Sequence, residues 1–134
     1  ISGMSFRIAE AALSQDIPFA HDECKILSCR ARDVEMYADY TAYDVRHLWN
    51  PFGRRNLPFN WDDLMLLICA RSKDESKVLL FEQLRSAEKI IAQGGKVVFY
   101  CQGGRHRSPA VSMSLSHLLG VPARHMEWEK ELRT

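Results

Sequence analysis

Cys101 and Arg107 are the residues whose types and spacing most directly suggest chemistry. They lie in the segment KVVFYCQGGRHRSP (96–109), with five residues between them, and Cys101 follows an apolar run of strand type. At this spacing a cysteine phosphatase uses its thiolate to attack phosphorus and its arginine to hold the phosphate oxygens. The spacing therefore permits catalysis by Cys101 and Arg107. The alternative is that Cys101 is a small buried residue at a strand end, which is a common use of cysteine.

The segment after Cys101 has the composition of an anion-binding corner between a strand and a helix. Backbone N–H groups at a helix N-terminus and cationic side chains both attract phosphate. Ser108 is expected to cap the helix, and Pro109 is expected at its first position. In a phosphatase, Ser108 would also help the thiolate to leave. The residues of the predicted corner are Gln102, Gly103, Gly104, Arg105, His106, Arg107 and Ser108.

Phosphatase chemistry also needs a general acid that protonates the departing oxygen. Asp62, Asp63 and Asp74 are candidates, but no sequence context singles one out. Asp63 is explained as a helix-capping residue and Asp74 as part of a solvated turn. Arg105 and His106 are bulky where phosphatase loops often have small residues. The residues therefore favour binding over catalysis, and enzymatic activity stays open.

Composition restricts the function classes. The length of 134 residues fits one domain, in which 46% of the residues are hydrophobic and 26% are charged. The formal net charge of +1 gives the chain no overall electrostatic attraction to a polyanion. The longest apolar run, Leu64 to Ala70, is too short to span a membrane. The cysteines lack a paired C-x-x-C spacing, so neither a metal site nor a cofactor is predicted. Ile1-Ser2-Gly3 before Met4 look like a cloning remnant, and a reducing cytoplasm is the expected location.

Hydrophobic periodicity predicts a single small α/β domain with a mostly parallel sheet and flanking helices. Residues 1–25 are expected to be an N-terminal extension that precedes a domain at 26–134. Because parallel sheets bind ligands at the carboxyl ends of their strands, the ends of two predicted strands, 43–48 and 97–101, are expected to form one site. The other predicted elements are helices at 5–15, 60–71, 77–93 and 109–119, strands at 25–29 and 124–126, a loop at 49–60 and a charged C-terminal tail.

The chain resembles the C-terminal domain of the RapZ (YvcJ) family of bacterial RNase adapter proteins. That domain carries D-V-R-[FH]-L-x-N-P, then G-C-T-G-G-[KR]-H-R-S at the end of a strand, and finally a segment similar to S-R-H-R-T-L-E-K. Three separated motifs in the same order are more specific than the cysteine–arginine spacing alone. The counterparts here are ADYTAYDVRHLWNP (38–51), FYCQGGRHRS (99–108) and ARHMEWEKE (123–131).

The resemblance implies a regulatory domain that senses an amino-sugar phosphate, binds small RNA and self-associates into a homo-oligomer. By this resemblance Asp44 would meet an amino or hydroxyl group of the sugar, and the Gly-Gly backbone with Arg107 and Ser108 would take the phosphate. Arg46 and Asn50 would line or brace the pocket, and His125 would approach it. RNA contacts would come from arginines outside the corner, namely Arg54, Arg55 and Arg124.

Three differences from the family pattern bear on the ligand. The chain has no G-x-x-x-x-G-K-[ST] motif, so the nucleotide-binding P-loop of the family's other domain is absent. Phe52 stands where the bacterial proteins have a polar histidine that contacts sugar, and Gln102 replaces a threonine. The phosphate part of the site is thus retained while the sugar-reading part differs. The expected partner is a phosphorylated small molecule, and RNA is the second expected partner.

Overall fold

Four parallel β-strands form the centre of the fold. The structure is a computed structural model that describes residues 23–58 and 60–133, so the helix predicted at 5–15 lies outside the described residues. The strands are β1 (Ile26–Arg30), β2 (Thr41–Asp44), β3 (Val97–Cys101) and β4 (Ala123–His125), in the spatial order β2-β3-β1-β4. The helices are α1 (Trp61–Arg71), α2 (Asp74–Ala92), α3 (Arg107–Leu119) and α4 (Met126–Arg133), and a 3-10 helix covers Ala31–Tyr37. The predicted α/β class with a parallel sheet is confirmed.

Apolar side chains cover both faces of the two central strands, β1 and β3. On one face, Ile26 and Phe99 belong to a core cluster that includes residues of α1, α2 and α3. On the other face, Leu27 and Val98 pack with Tyr37 and neighbouring residues. A strand that is buried on both faces tends to read as a continuous apolar run, as β3 does, whereas β1 also buries the polar Ser28. This burial fixes the central strands and, with them, the position at which each strand ends.

The strand register places the ends of β1, β2 and β3 at one edge of the sheet. Asp44, the last residue of β2, lies opposite Tyr100, and Cys101, the last residue of β3, lies opposite Arg30. The pairing continues one residue beyond β2, because the Val45 N–H donates to the Tyr100 carbonyl at 2.9 Å. The polar segments that follow these strands therefore begin side by side.

The predicted strand at 43–48 is wrong at both ends, since β2 runs from Thr41 to Asp44. The physical reason is the Asp44 side chain. Its Oδ1 accepts the backbone N–H of Arg46 at 2.9 Å, and its carboxylate also binds the Arg46 guanidinium. An aspartate that binds the backbone two residues ahead favours a turn over an extended chain. The strand therefore ends there.

Three other predicted boundaries differ from the structure. The α2 helix begins at Asp74 rather than at residue 77, because only Ser72 and Lys73 separate it from α1. The α3 helix begins at Arg107, so Pro109 lies in its first turn. The expected charged tail is the helix α4, which follows β4 directly.

Two terminal signals of the sequence have the expected geometry. Asn60 caps α1, since its Oδ1 accepts the Asp63 N–H at 2.8 Å. Gly120 ends α3 with a left-handed φ of 67°, a conformation that glycine adopts without steric cost. Leu118, which was predicted to face the core, is 68% exposed. Within residues 23–58 and 60–133, none of the helices combines the length and the apolar composition needed to cross a bilayer.

His125, the last residue of β4, is buried among core side chains. Its Nδ1 lies 2.8 Å from the Ser28 hydroxyl, and its ring centre is 5.4 Å from that of Trp61. The Nε2 atom has no hydrogen-bond partner among the described residues. Burial lowers the pKa of His125 to about 3, so the folded protein holds a neutral imidazole.

This burial makes His125 a source of acid sensitivity. Below the usual histidine pKa of about 6.5 the unfolded chain binds a proton that the folded protein excludes, so stability falls as the pH falls toward about 3. For His125→Gln we expect the slope of the unfolding free energy between pH 4.5 and 6.5 to decrease by up to about 1.4 kcal/mol per pH unit. Urea denaturation across this range measures the slope. An unchanged slope would contradict a neutral, buried His125.

Candidate functional site

A cavity of about 440 Å³ lies where β3 ends. Its size is within the range of small-molecule sites. Most of the predicted corner contributes to its wall, together with the loop after β2 and one residue of α4. The lining residues are Asn50, Phe52, Cys101, Gln102, Gly103, Arg105, His106, Arg107 and Trp128. The structure thus brings together residues from all three motifs of the sequence.

The sulfur of Cys101 lies at the centre of the loop that follows β3. The N–H groups of Gly104 and Ser108 point at Sγ from 3.2 and 3.5 Å, and the Ser108 hydroxyl lies 3.2 Å from the same atom. Dipoles directed at one sulfur beside a helix N-terminus stabilise negative charge on it. The loop therefore organises its donors around Cys101, which is more than a packing role.

Ser108 does not have the predicted N-cap position. It is fully buried in the first turn of α3, and its Oγ donates to the Cys29 carbonyl at 3.3 Å. The residue that precedes the helix is His106, whose side chain makes no cap hydrogen bond. Because the hydroxyl lies between the sulfur and β1, the structure places Ser108 behind the loop and outside the cavity lining.

The guanidinium of Arg107 connects the two strand ends. It is only 7% exposed, and its Nη1 donates to the Arg46 carbonyl at 2.7 Å and to the Leu48 carbonyl at 3.4 Å. Arg107 also lines the cavity. A planar guanidinium that is held on one side by carbonyl groups keeps a fixed orientation, which suits the recognition of a phosphate.

Asp44 and Arg46 form an ion pair with each other. Arg46 Nη2 donates to Asp44 Oδ2 at 2.7 Å, and this contact holds the pKa of the Asp44 carboxyl below its usual value. The guanidinium of Arg46 also lies 5.5 Å from the centre of the Tyr100 ring. Neither Asp44 nor Arg46 lines the cavity. The carboxylate that the family resemblance assigns to the sugar is therefore engaged elsewhere.

His106 lines the cavity and is held against Trp128, with ring centres 6.4 Å apart and an interplanar angle of 82°. Its Nε2 has no hydrogen-bond partner within the part of the chain that the structure describes. Burial, with the charges of Arg105 and Arg107, lowers the pKa of His106 to about 4. The imidazole is therefore neutral at neutral pH, and its ring lines the cavity while the Nε2 atom is enclosed by the protein.

Trp128 and Phe52 line the cavity. Trp128 was not predicted as a site residue, and Phe52 was noted only as the replacement of a histidine of the RapZ family. Trp128 is buried, its Nε1 donates to the Arg105 carbonyl at 2.8 Å, and the Arg105 guanidinium lies 5.4 Å from its ring centre. The segment that follows His125 is highly charged, so its residues were not expected to line a cavity. An aromatic residue soon after a parallel strand is the sequence pattern that could have indicated this role.

The proposed general acids lie away from the cavity. Asp62 pairs with His117 at 2.9 Å, Asp63 belongs to the cap of α1, and Asp74 is exposed at the start of α2. No carboxylate contributes to the cavity lining among the described residues. His125 is also outside the lining.

The predicted RNA-binding arginines divide into two groups. Arg54 and Arg55 line a second cavity of about 490 Å³ together with Arg71. The Trp49 ring lies between two of them, with the guanidinium carbons of Arg54 and Arg71 at 5.3 and 5.6 Å from its centre. Arg124 is on β4 and is paired with a glutamate of α4, so it does not belong to this surface. No cluster of metal-ligating side chains is present within residues 23–58 and 60–133.

The two glycines of the loop differ in what they allow. Gly104 has a φ of 70°, and a Cβ there would lie 2.6 Å from the Arg30 nitrogen and 2.7 Å from Glu127 Cγ. A Cβ on Gly103 would meet no atom within 4 Å. Close approach of the loop to β1 therefore requires glycine at 104 and does not require it at 103.

These two positions form a matched pair for mutagenesis. We expect Gly104→Ala to lower the free energy of unfolding by about 2 to 4 kcal/mol, because it adds a left-handed residue and a backbone clash. Gly103→Ala is expected to change it by less than about 0.5 kcal/mol. Chemical denaturation of both variants measures the difference, and equal losses would contradict the close packing of Gly104.

Comparison with known proteins does not assign the chain to a family. No family model, no curated protein and no solved structure matches it. The likeness to the RapZ C-terminal domain is therefore carried by the three sequence motifs alone. The functional interpretation rests on the residues that line the cavity.

Proposed function

We propose that this chain is a regulatory ligand-binding domain that captures a phosphorylated metabolite in the cavity at the end of β3. The observation that supports this function is the position of Arg107. Its guanidinium is buried, oriented by the Arg46 carbonyl and part of a cavity wall without a carboxylate. A buried cation without a carboxylate partner in the cavity wall favours an anionic ligand.

In this function the phosphate oxygens contact Arg107 and the backbone of the Gly103 turn, with Arg105 at the rim. His106 contributes a neutral ring to the cavity wall. The amino-sugar part of the expected ligand has less support than the phosphate part, because Asp44 is paired with Arg46 outside the cavity lining.

The second candidate function is that of a cysteine-dependent phosphatase, which the donors around Cys101 Sγ favour. The thiolate would attack phosphorus, the phosphorus–oxygen bond to the leaving alcohol would break, and water would then release phosphate from the cysteine. The departing alkoxide needs a proton, and no carboxylate of the described cavity wall supplies one. Binding is therefore the first proposal.

The binding function predicts that phosphate stabilises the protein through Arg107. We expect phosphate at 100 times its dissociation constant to raise the unfolding free energy by about 2.7 kcal/mol. Arg107→Lys should lose most of this gain, because an ammonium cannot form the paired contacts of a guanidinium. Thermal unfolding with and without phosphate measures the gain and also reports whether the variant is folded. Arg85→Lys, on the surface of α2, is the control. A folded Arg107→Lys variant with the full gain would contradict the proposal.

The choice between binding and catalysis depends on Cys101. If the domain only binds, we expect no release of phosphate from an aryl phosphate or from a panel of phosphosugars. Turnover that Cys101→Ser abolishes would establish the phosphatase and contradict a function limited to binding. In the binding function Cys101→Ser should still be stabilised by phosphate. A colorimetric phosphate assay on both proteins at equal concentration makes the comparison.

The arginines around the second cavity favour RNA phosphate as a further ligand. Arg54 and Arg55 line it with Arg71, and the Trp49 ring holds the guanidiniums of Arg54 and Arg71 close together. We expect Arg54→Glu with Arg55→Glu to weaken single-stranded RNA binding and to reduce its salt dependence, because fewer counterions are released. Fluorescence anisotropy over a salt series, with Arg85→Glu as control, measures both. Equal slopes for the two variants would contradict this role.

A further inference from the structure

We infer that the ligand of the cavity at the end of β3 is a phosphomonoester with a flat aromatic body, rather than a sugar phosphate. This inference rests on the proposed function and specifies the class of ligand that the same cavity takes. The inference follows from the residues of the cavity wall other than those proposed to bind the phosphate. Although the lining includes two arginines, most of its surface is apolar.

Phe52 provides the exposed part of this apolar wall. The residue is 80% exposed and lies on the loop that follows β2. The backbone around it is held in place, since Asn50 Oδ1 accepts the Phe52 N–H at 3.0 Å and Arg54 N donates to the Pro51 carbonyl at 3.0 Å. A phenyl ring on a fixed turn at the mouth of a cavity gains buried area when a ligand covers it.

Trp128 provides the buried part of the wall. Its ring is fixed by the hydrogen bond from Nε1 to the Arg105 carbonyl, and the Arg105 guanidinium lies over it. His106 packs edge-on against the same ring. Trp128 is therefore a rigid support behind Arg105 and His106, while Phe52 presents the open aromatic face, which favours contact with another flat aromatic group.

The polar groups of the cavity do not match a sugar. A hexose phosphate brings several hydroxyl groups, and each needs a partner when it leaves water. Asn50 Oδ1 already accepts the Phe52 N–H, and the carboxylate of Asp44 is bound to Arg46 outside the lining. The side-chain amides of Asn50 and Gln102 are few partners for the several hydroxyl groups of a hexose. A phosphate attached to an aromatic ring needs polar contacts at one end only, where Arg107 lies.

Two sources have this chemistry. One is a free aryl phosphate, and the other is the phosphorylated side chain of a tyrosine within a peptide. Both present a phosphate on a flat ring, and both would place the phosphate at Arg107 and the ring against the open face of Phe52. A direct comparison of the two ligands separates them.

The test uses the full chain and a phosphonate in place of the hydrolysable aryl phosphate ester. Isothermal titration would compare benzylphosphonate, its cyclohexylmethyl analogue, inorganic phosphate, glucosamine-6-phosphate and a short phosphotyrosine peptide. We expect benzylphosphonate to bind at least tenfold more tightly than inorganic phosphate or glucosamine-6-phosphate, and more tightly than the cyclohexylmethyl analogue. A peptide that binds more tightly still would identify a protein as the source.

Phe52→Ala tests the wall itself. We expect this variant to weaken the binding of benzylphosphonate at least fivefold more than it weakens the binding of inorganic phosphate. Because Phe52 is exposed, we expect its substitution to leave the fold intact. Phe81→Ala, which removes another exposed phenylalanine on α2, is the matched control.

Each failure has a distinct meaning. If inorganic phosphate and glucosamine-6-phosphate bind but benzylphosphonate is not preferred, the aromatic ligand class is wrong and the proposed function stands. If Phe52→Ala keeps the full preference, the inference is overturned in the same way. If no phosphate or phosphonate compound binds, the proposed function and this inference are both wrong.

Discussion

The hydrogen bond from Arg107 Nη1 to the Arg46 carbonyl is the contact on which the cavity depends. It joins the helix after β3 to the turn after β2, two segments that are 61 residues apart in sequence. The parallel register brings the two strand ends to the same edge, but it does not fix the segments that follow them. Arg107 supplies that connection and at the same time places a cation in the wall. Its structural role and its proposed binding role therefore use the same guanidinium.

The loop between β3 and α3 depends in turn on Cys101 and Gly104. Donors from both sides of the loop converge on the Cys101 sulfur, so the sulfur acts as the internal acceptor that a tight loop otherwise lacks. Gly104 allows this geometry because its missing side chain lets the loop approach the Arg30 backbone. The same polar arrangement is compatible with a sulfur that only holds a binding loop and with one that acts as a nucleophile. The geometry of Cys101 is therefore shared by both proposed functions.

Much of the framework could be predicted from the sequence because its signals are local. The continuous apolar run of β3, the Asn60 cap and the Gly120 stop need only nearby residues to act. The predicted boundaries of helices and strands are wrong where a side chain binds a partner that is distant in sequence or that competes with the expected backbone contact. Ser108 has the residue type of a cap, but its hydroxyl lies between Cys101 and the Cys29 carbonyl. No sequence pattern reports a partner from another strand.

The residues of the cavity also divide into those that local sequence signals predict and those that depend on contacts distant in sequence. The corner residues that line it, from Gln102 to Arg107, follow one another in sequence and were predicted together. Trp128 was missed because only the parallel placement of β4 brings the start of α4 to the same edge. Asp44 shows the opposite case: its place beside the site followed from the motif, but its pairing with Arg46 required the geometry of the turn.

The positive charge of the corner depends on which cations pair with the neighbouring carboxylates. Glu127 packs its methylene against the Gly104 position, yet its carboxylate binds Lys130 at 3.0 Å. Asp33 binds the same Lys130 and also Arg30, and these contacts lower its pKa to about 2. Asp33 therefore stays ionised and paired through the neutral and mildly acidic range, and the carboxylate of Glu127 is paired with Lys130 outside the cavity. In a chain with a net charge of only +1, this local pairing leaves a cationic wall at the end of β3.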